Sequence, residues 1–191
     1  MFAVTPSLRR ALLGIVLLAP VTHADAADWT IDKAHSTLGF SGTQTGTKFQ
    51  GHFTRYDGSI HFDPDHPETG HALITIDMAS ATTGDRQRDE ALPGGDWFNT
   101  KTFPKATFEI KSFRPINGNN FEALGTLTLR GISHEATLPF ALDITGDAAH
   151  AKGHLELVRT AFGVGQGTWA SGQWVALEVG VDVDLIARQS P

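Results

Sequence analysis

The sequence predicts an all-β fold, an antiparallel barrel or sandwich, on three observations. From Trp174 to Ala187 (WVALEVGVDVDLIA) Val175, Leu177, Val179, Val181, Val183 and Leu185 fall on every second residue. A period of two over that length means one long strand with an apolar and a polar face. Eight or so such segments alternate with turn signals, and a single short stretch reads as helix. A strand so long and one-sided needs an extended apolar surface to face and partners on both edges, and closing a sheet into a barrel supplies both. The polar side, with Glu178, Asp182 and Asp184, is too acidic to bury and must face water.

Residues 1–26 (MFAVTPSLRRALLGIVLLAPVTHADA) read as a secretory signal: Arg9 and Arg10 form the charged region, Ala11 to Ala19 the apolar core, and Ala24-Asp25-Ala26 a small-residue site compatible with cleavage after Ala24 or Ala26. The mature domain is then 27–191. Trp29 to Ile31 starts it, and Ser36 to Gln44 follows with Leu38 and Phe40 in phase before Gly46 interrupts. Gln50 to Tyr56 and Ser59 to Asp63 flank Asp57-Gly58, a hairpin signal, and Pro64 and Pro67 punctuate the next loop. Residues 71–80 put Ala72, Ile74, Ile76 and Met78 on one side. Thr82, Thr83 and Asp85 offer caps for a helix over Arg86 to Leu92, stopped by Pro93 and Gly94-Gly95. Residues 106–113 alternate again, Asn117-Gly118 marks a turn, and 121–130 and 135–145 pair around Gly131. Residues 150–158 form one more strand before the closing one.

There are no cysteines, so in an oxidising compartment core packing must carry stability without disulfides. Removal of Arg9 and Arg10 takes the formal charge from −6 to −8 if cleavage follows Ala24. An acidic total with no basic cluster along the chain argues against nucleic acid and against adsorption onto anionic lipid. After the signal, no segment reads as membrane-spanning.

Catalytic and metal chemistry find little support. His61, Asp63, Asp65 and His66 fall within six residues, but Pro64 bends the chain between them, and the cluster reads as a solvated loop. His35 is open to two readings, a ligand headgroup contact or a partner for a backbone carbonyl. There is no G-x-S-x-G elbow and no Ser-His-Asp set that the strand pattern brings together. Gly163-Val-Gly165-Gln-Gly167 has no helix after it to complete a phosphate loop and reads as rim turns. The sequence therefore predicts no enzyme, no catalytic residue and no metal. The alternating apolar faces have two explanations, a packed core or the lining of a cavity, and a barrel of this size allows either.

A set of motifs narrows the choice. W-T-I-D-K-A-H-S (Trp29 to Ser36), F-x-G-H-F-T-R-Y-D-G-S-I-H-F-D-P (Phe49 to Pro64), T-G-D-R-Q-R-D-E-A-L (Thr83 to Leu92), W-F-N-T-K-T-F-P-K-A-T-F (Trp97 to Phe108), G-T-L-T-L-R-G-I-S-H (Gly125 to His134) and R-T-A-F-G-V-G (Arg159 to Gly165) occur in order. Together they resemble the YceI family over essentially the whole mature chain. The resemblance implies an extended eight-stranded antiparallel β-barrel, lipocalin-like, with one short helical insertion. It also implies a periplasmic or secreted protein that holds a polyisoprenoid or long-chain amphiphile. Gln44 stands where many members carry a second early histidine, and Ala161 where an acidic residue often precedes Phe-Gly. The glutamine variant resembles a subgroup often encoded beside, or fused to, di-haem b-type membrane cytochromes, which implies a quinone-like guest.

The expectation is a periplasmic carrier for a polyisoprenoid, isoprenoid quinone or similar lipid, with no other cofactor, as monomer or homodimer. The alternatives are an interaction module for a membrane b-type cytochrome and, third, a lipid hydrolase. The expected lining is Phe40, Phe53, Ile76, Phe108, Ile110, Leu127, Phe140, Leu155, Val179 and Val181. Thr83 to Asn99 is the expected lid. The expected polar and lid residues are His35, Arg88, Asp89, Trp97, Phe98, Trp169 and Trp174, with Arg88 in an internal ion pair or a headgroup contact and the last two tryptophans at the rim.

Overall fold

The computed structural model describes residues 27–190; the expected signal at 1–26 lies outside the described residues. The strands are β1 (Ala27–Ile31), β2 (Thr37–Gln44), β3 (Thr47–Phe53), β4 (Tyr56–Phe62), β5 (His71–Asp77), β6 (Ala81–Thr82), β7 (Lys105–Asn117), β8 (Asn120–Leu129), β9 (Ile132–Thr145), β10 (Ala148–Val158) and β11 (Glu178–Gln189), with helix α1 (Arg86–Ala91) between β6 and β7.

All pairings are antiparallel. The ring β1-β4-β5-β7-β8-β9-β10-β11 closes where Trp29 to Ile31 pair with Ala187 to Gln189. This is an eight-stranded antiparallel barrel. One wall position is shared: the C-terminal end of β11 pairs with β1, while Gly180 to Asp184 pair with β2. The chain bends between the two at Ser36, whose Oγ donates to the Asp32 carbonyl at 2.7 Å and accepts from the Ile186 amide at 2.9 Å. The next position is shared likewise by β3, on β2, and β4, on β1. Their joint at Arg55 is held by buried Ser80, whose Oγ accepts the Arg55 amide at 3.0 Å.

That joint corrects one expectation. Asp57-Gly58 is no hairpin: both residues lie inside β4, opposite Thr75 and Ile74 of β5. Glycine is needed there for room, because a Cβ would stand 2.7 Å from the Cδ1 atoms of both Ile31 and Ile74. The turns at Asn117-Gly118 and Arg130-Gly131 do occur, the second with φ of 53° and 74°. The closing strand starts at Glu178 rather than Trp174. Residues 174–177 run on as an extended arm beside the end of β2, with Val175 bridged to Gln44. The loop after β4 is also less solvated than expected. Asp63 is buried, its carboxylate accepting the Asp65 amide at 2.8 Å.

The two ends of the barrel differ. At the floor end lie the turns near residues 63–70, 117–119 and 145–147. At the lid end lie the β2–β3 and β8–β9 hairpin tips, α1 with the segment to Pro104, and the segment 159–177.

Candidate functional site

The apolar faces of the strands enclose a cavity of about 410 Å³ that runs from floor to lid. Trp29, Phe62 and Phe113 make its floor. The Trp29 Nε1 donates to the Phe62 carbonyl at 3.1 Å, and Phe62 packs edge-on against Phe113 at 5.0 Å. The structure places all ten of the expected apolar positions on the cavity wall: Phe40 on β2, Phe53 on β3, Ile76 on β5, Phe108 and Ile110 on β7, Leu127 on β8, Phe140 on β9, Leu155 on β10, and Val179 and Val181 on β11. Among the described residues no large side chain is fully buried. Inner-face side chains pack in two groups, one around Trp29, Phe62 and Phe113 and one around Phe53 and Phe98, and both groups border open space. An apolar cavity of roughly 150 Å³ is already enough to stay dry and admit benzene, so this one has room for a longer apolar guest.

The lid is built from α1 and the turns after it. Asp85 caps the helix by accepting the Arg88 amide at 3.0 Å. Asp89 ties α1 back to the barrel, accepting from Thr82 Oγ1, the Thr83 amide and Thr83 Oγ1, each at 2.7 Å. Burial pushes the Asp89 carboxyl up, but the hydrogen bonds from Thr82, Thr83 and the Gly84 backbone outweigh it and hold the group below its usual range. Phe98 is buried against Phe53, and Trp97 meets Trp169 at 5.4 Å; these four line the cavity with Thr83, Asp85 and Arg88, and Asp89 does not.

Two guanidiniums reach the cavity at the lid end. Arg88 Nη1 donates to Gln44 Oε1 at 3.2 Å, its Nε to Thr83 Oγ1 at 3.2 Å, and it lies over the Phe49 ring at 5.0 Å. Its nearest carboxylate, Asp85, is 3.8 Å away. Arg159 is 3% exposed and has carbonyls alone as partners: those of Val164, Gly165, Trp169, Val175 and Ala176. Its ring neighbour is Trp97 at 5.5 Å, and burial draws its pKa below the usual value. The glycines of the segment form its cradle. Gly165 has φ 80°, and a Cβ there would overlap the guanidinium. Sequence reasoning did not single out Arg159; Gly163 and Gly165, four and six residues downstream, were the available signal.

Three expected polar or rim residues stand elsewhere. His35 is exposed on the outer wall toward the floor end, paired with Asp32 at 2.9 Å, so it faces no ligand in the cavity. Asp89 anchors the lid without lining the cavity, and Trp174 is 48% exposed on the outside of the rim. His61 turns to Asp28 at 3.0 Å, and its ring lies 5.0 Å from that of His71 at a tilt of 33°. No three His, Cys, Asp or Glu side chains among the described residues converge on one point.

A YceI-like domain pattern matches residues 29–187. The chain belongs to the YceI-like family. Among its relatives is protein YceI of Escherichia coli O17:K52:H18, 32% identical over 146 residues that cover 73% of this chain and 76% of that one. Among solved structures, Burkholderia cenocepacia BcnA shares 33% identity, with a TM-score of 0.79 over 82% of this chain and 98% of BcnA. A polyisoprenoid-binding domain from Saccharophagus degradans, implicated in plant cell wall breakdown, has a TM-score of 0.63 at 17% identity, over 87% of this chain and all of that one. That likeness is one of fold. The YceI-like barrel of this chain is therefore shared.

Proposed function

We propose that this YceI-like domain is an exported, periplasmic carrier or reservoir for a polyisoprenoid, an isoprenoid quinone or a similar long-chain amphiphile, on which it performs no chemistry. The observation that carries the reading is the hollow interior: eight wall positions turn apolar side chains onto one elongated space. The Saccharophagus neighbour, a polyisoprenoid-binding domain on the same fold, supports it. Burial of each methylene contributes about 0.8 kcal/mol. Ten carbons contribute about 8 kcal/mol and twenty about 16 kcal/mol, so a chain of about twenty outweighs even the upper end of an association penalty of about 4–15 kcal/mol. The tail lies toward Trp29 and Phe62, and the polar head toward Gln44 and Arg88, which are joined by a hydrogen bond on the cavity wall. Residues 1–26 act as the export signal, and 27–191 as the mature domain.

Native mass spectrometry of protein purified from its own host, followed by solvent extraction, tests this. A stoichiometric long-chain molecule released by solvent is expected. Protein that is empty and takes up no apolar fluorophore overturns the reading.

A further inference from the structure

The barrel wall is not laced evenly all round. β9 and β10 leave their connecting turn together and pair from Thr145 with Ala148 up to Phe140 with Gly153, six pairs in all. Beyond that point they part. Ile132 to Pro139 pair with β8, and His154 to Val158 with β11, and among the described residues no ladder joins these two halves. The fork has a local cause. Pro139 has no amide hydrogen with which to carry the ladder on. Gly153 lets the strands meet closely just before they separate, since a Cβ there would stand 2.8 Å from the Pro139 carbonyl oxygen. The five residues His154 to Val158, at roughly 3.3 Å each, give a seam about 16 Å long.

Side chains close this seam. After β10 the turn Arg159–Phe162 sets buried Phe162 on the cavity wall. His134 of β9 meets that ring edge-on at 4.9 Å, with its Nε2 3.1 Å from the Ala161 carbonyl oxygen. The β10 side is fixed, because Arg159 binds the turn to the carbonyls of residues 164–176. The β9 side leans on it through His134. Leu138 from β9 and Leu155 and Leu157 from β10 line the cavity on the two sides of the seam, so a chain passing between them meets carbon. Outside the fork, Pro139, Gly153 and His154 border a hollow in the outer wall, and Phe140 and Val183 border both that hollow and the cavity. The wall there is one side chain thick. The α1 lid is tied more firmly: Asp89 holds it by three hydrogen bonds, Arg88 reaches Gln44, and Arg130 donates to the Gly95 and Trp97 carbonyls.

We propose that the β9–β10 seam is a side gate, through which a long-chain amphiphile enters and leaves the cavity when β9 parts from Phe162, while the α1 lid stays shut. The gate rests on the carrier reading and adds the route to it. Parting the wall here breaks a side-chain contact, whereas parting it elsewhere breaks a ladder of backbone hydrogen bonds.

The chain has no cysteine, so a thiol pair placed across the seam reacts alone. Thr137→Cys with Glu156→Cys puts exposed thiols on the two facing edges, to be bridged by ethylene bis-methanethiosulfonate. Stopped-flow fluorescence with N-phenyl-1-naphthylamine reads the rates of uptake and release. Bridging is expected to slow both on the order of tenfold or more, and reductant to restore them in the same sample, which shows that the barrel is intact. The same bridge between Ala141→Cys and Lys152→Cys, a ladder pair below the fork, should change neither rate. Phe162→Ala, which takes away the plug, is expected to raise both rates together; a lost ligand contact alone would raise release and leave uptake as it was. Unchanged rates in the bridged seam variant, equal slowing in both bridged variants, or faster release alone in Phe162→Ala overturns the gate and leaves the carrier reading standing. Wild-type protein that takes up no fluorophore overturns both.

Discussion

Arg159 concentrates more of the lid end in one side chain than any other residue. A buried guanidinium with no carboxylate at hand is held by five carbonyls, and those carbonyls belong to the segment 164–176 that rims the cavity. Lysine offers three donors and no planar fork, so Arg159→Lys leaves carbonyls without partners. Arg159→Lys is expected to cost about 2–4 kcal/mol in urea unfolding, with apolar-ligand affinity falling as the rim loosens. The sequence showed this residue inside R-T-A-F-G-V-G without showing its partners, because backbone carbonyls leave no mark in side-chain composition. Asp89 makes a second case at this scale. Its folded pKa is held down, so its contribution is fully present above the unfolded value of about 3.9 and is lost as pH falls through the folded value. Asp89→Asn is therefore expected to be less stable than wild type at neutral pH. The gap between the two should close below about pH 4, read from urea midpoints across that range.

At the scale of elements, alternation located nearly every strand, since a half-buried strand must alternate wherever it sits in a wall. Pairing was harder to read. Asp57-Gly58 satisfies the local chemistry of a hairpin, yet glycine serves two ends, a turn or a close approach, and residues distant in sequence decide which. The pairing of β11 with both β1 and β2 is likewise a matter of closure, and no local pattern encodes it. The two kinds of crowding around glycine give a graded prediction. At Gly125, beside the irregularity where β7 and β8 shift register after Ile110, a Cβ would overlap the Glu109 carbonyl, which is backbone and cannot step aside. At Gly58 it meets the ends of two isoleucine side chains, which can rotate. Gly125→Ala is expected to cost about 2–3 kcal/mol, and Gly58→Ala less than half of that. Chemical denaturation of the two variants side by side, with an unchanged denaturant slope, checks the order.

For the molecule as a whole, the sequence left open whether the barrel is filled or hollow, because the same alternation serves both. Side-chain size around a closed ring decides it. Ala72, Ala106, Ala149, Ala151 and Ala187 face inward among the larger residues, and where alanines line the wall the opposite side is out of reach. The resemblance to a lipid-binding family pointed to this outcome; periodicity alone did not. Hollow and solid interiors respond oppositely to added bulk. In a packed core an inserted ring forces neighbours aside and typically costs about 1–3 kcal/mol. In this barrel Val181→Phe, halfway along the cavity wall, adds carbons to open space and should leave the thermal midpoint unchanged or raise it. The same ring takes the place of about two methylenes of a guest, which at about 0.8 kcal/mol each lowers affinity on the order of tenfold. Thermal melts and fluorescence titration with N-phenyl-1-naphthylamine, run on one preparation, measure both. A variant that binds tenfold more weakly and melts no earlier is the signature of a cavity kept open for a ligand; a variant that melts early shows side chains already in contact across the barrel.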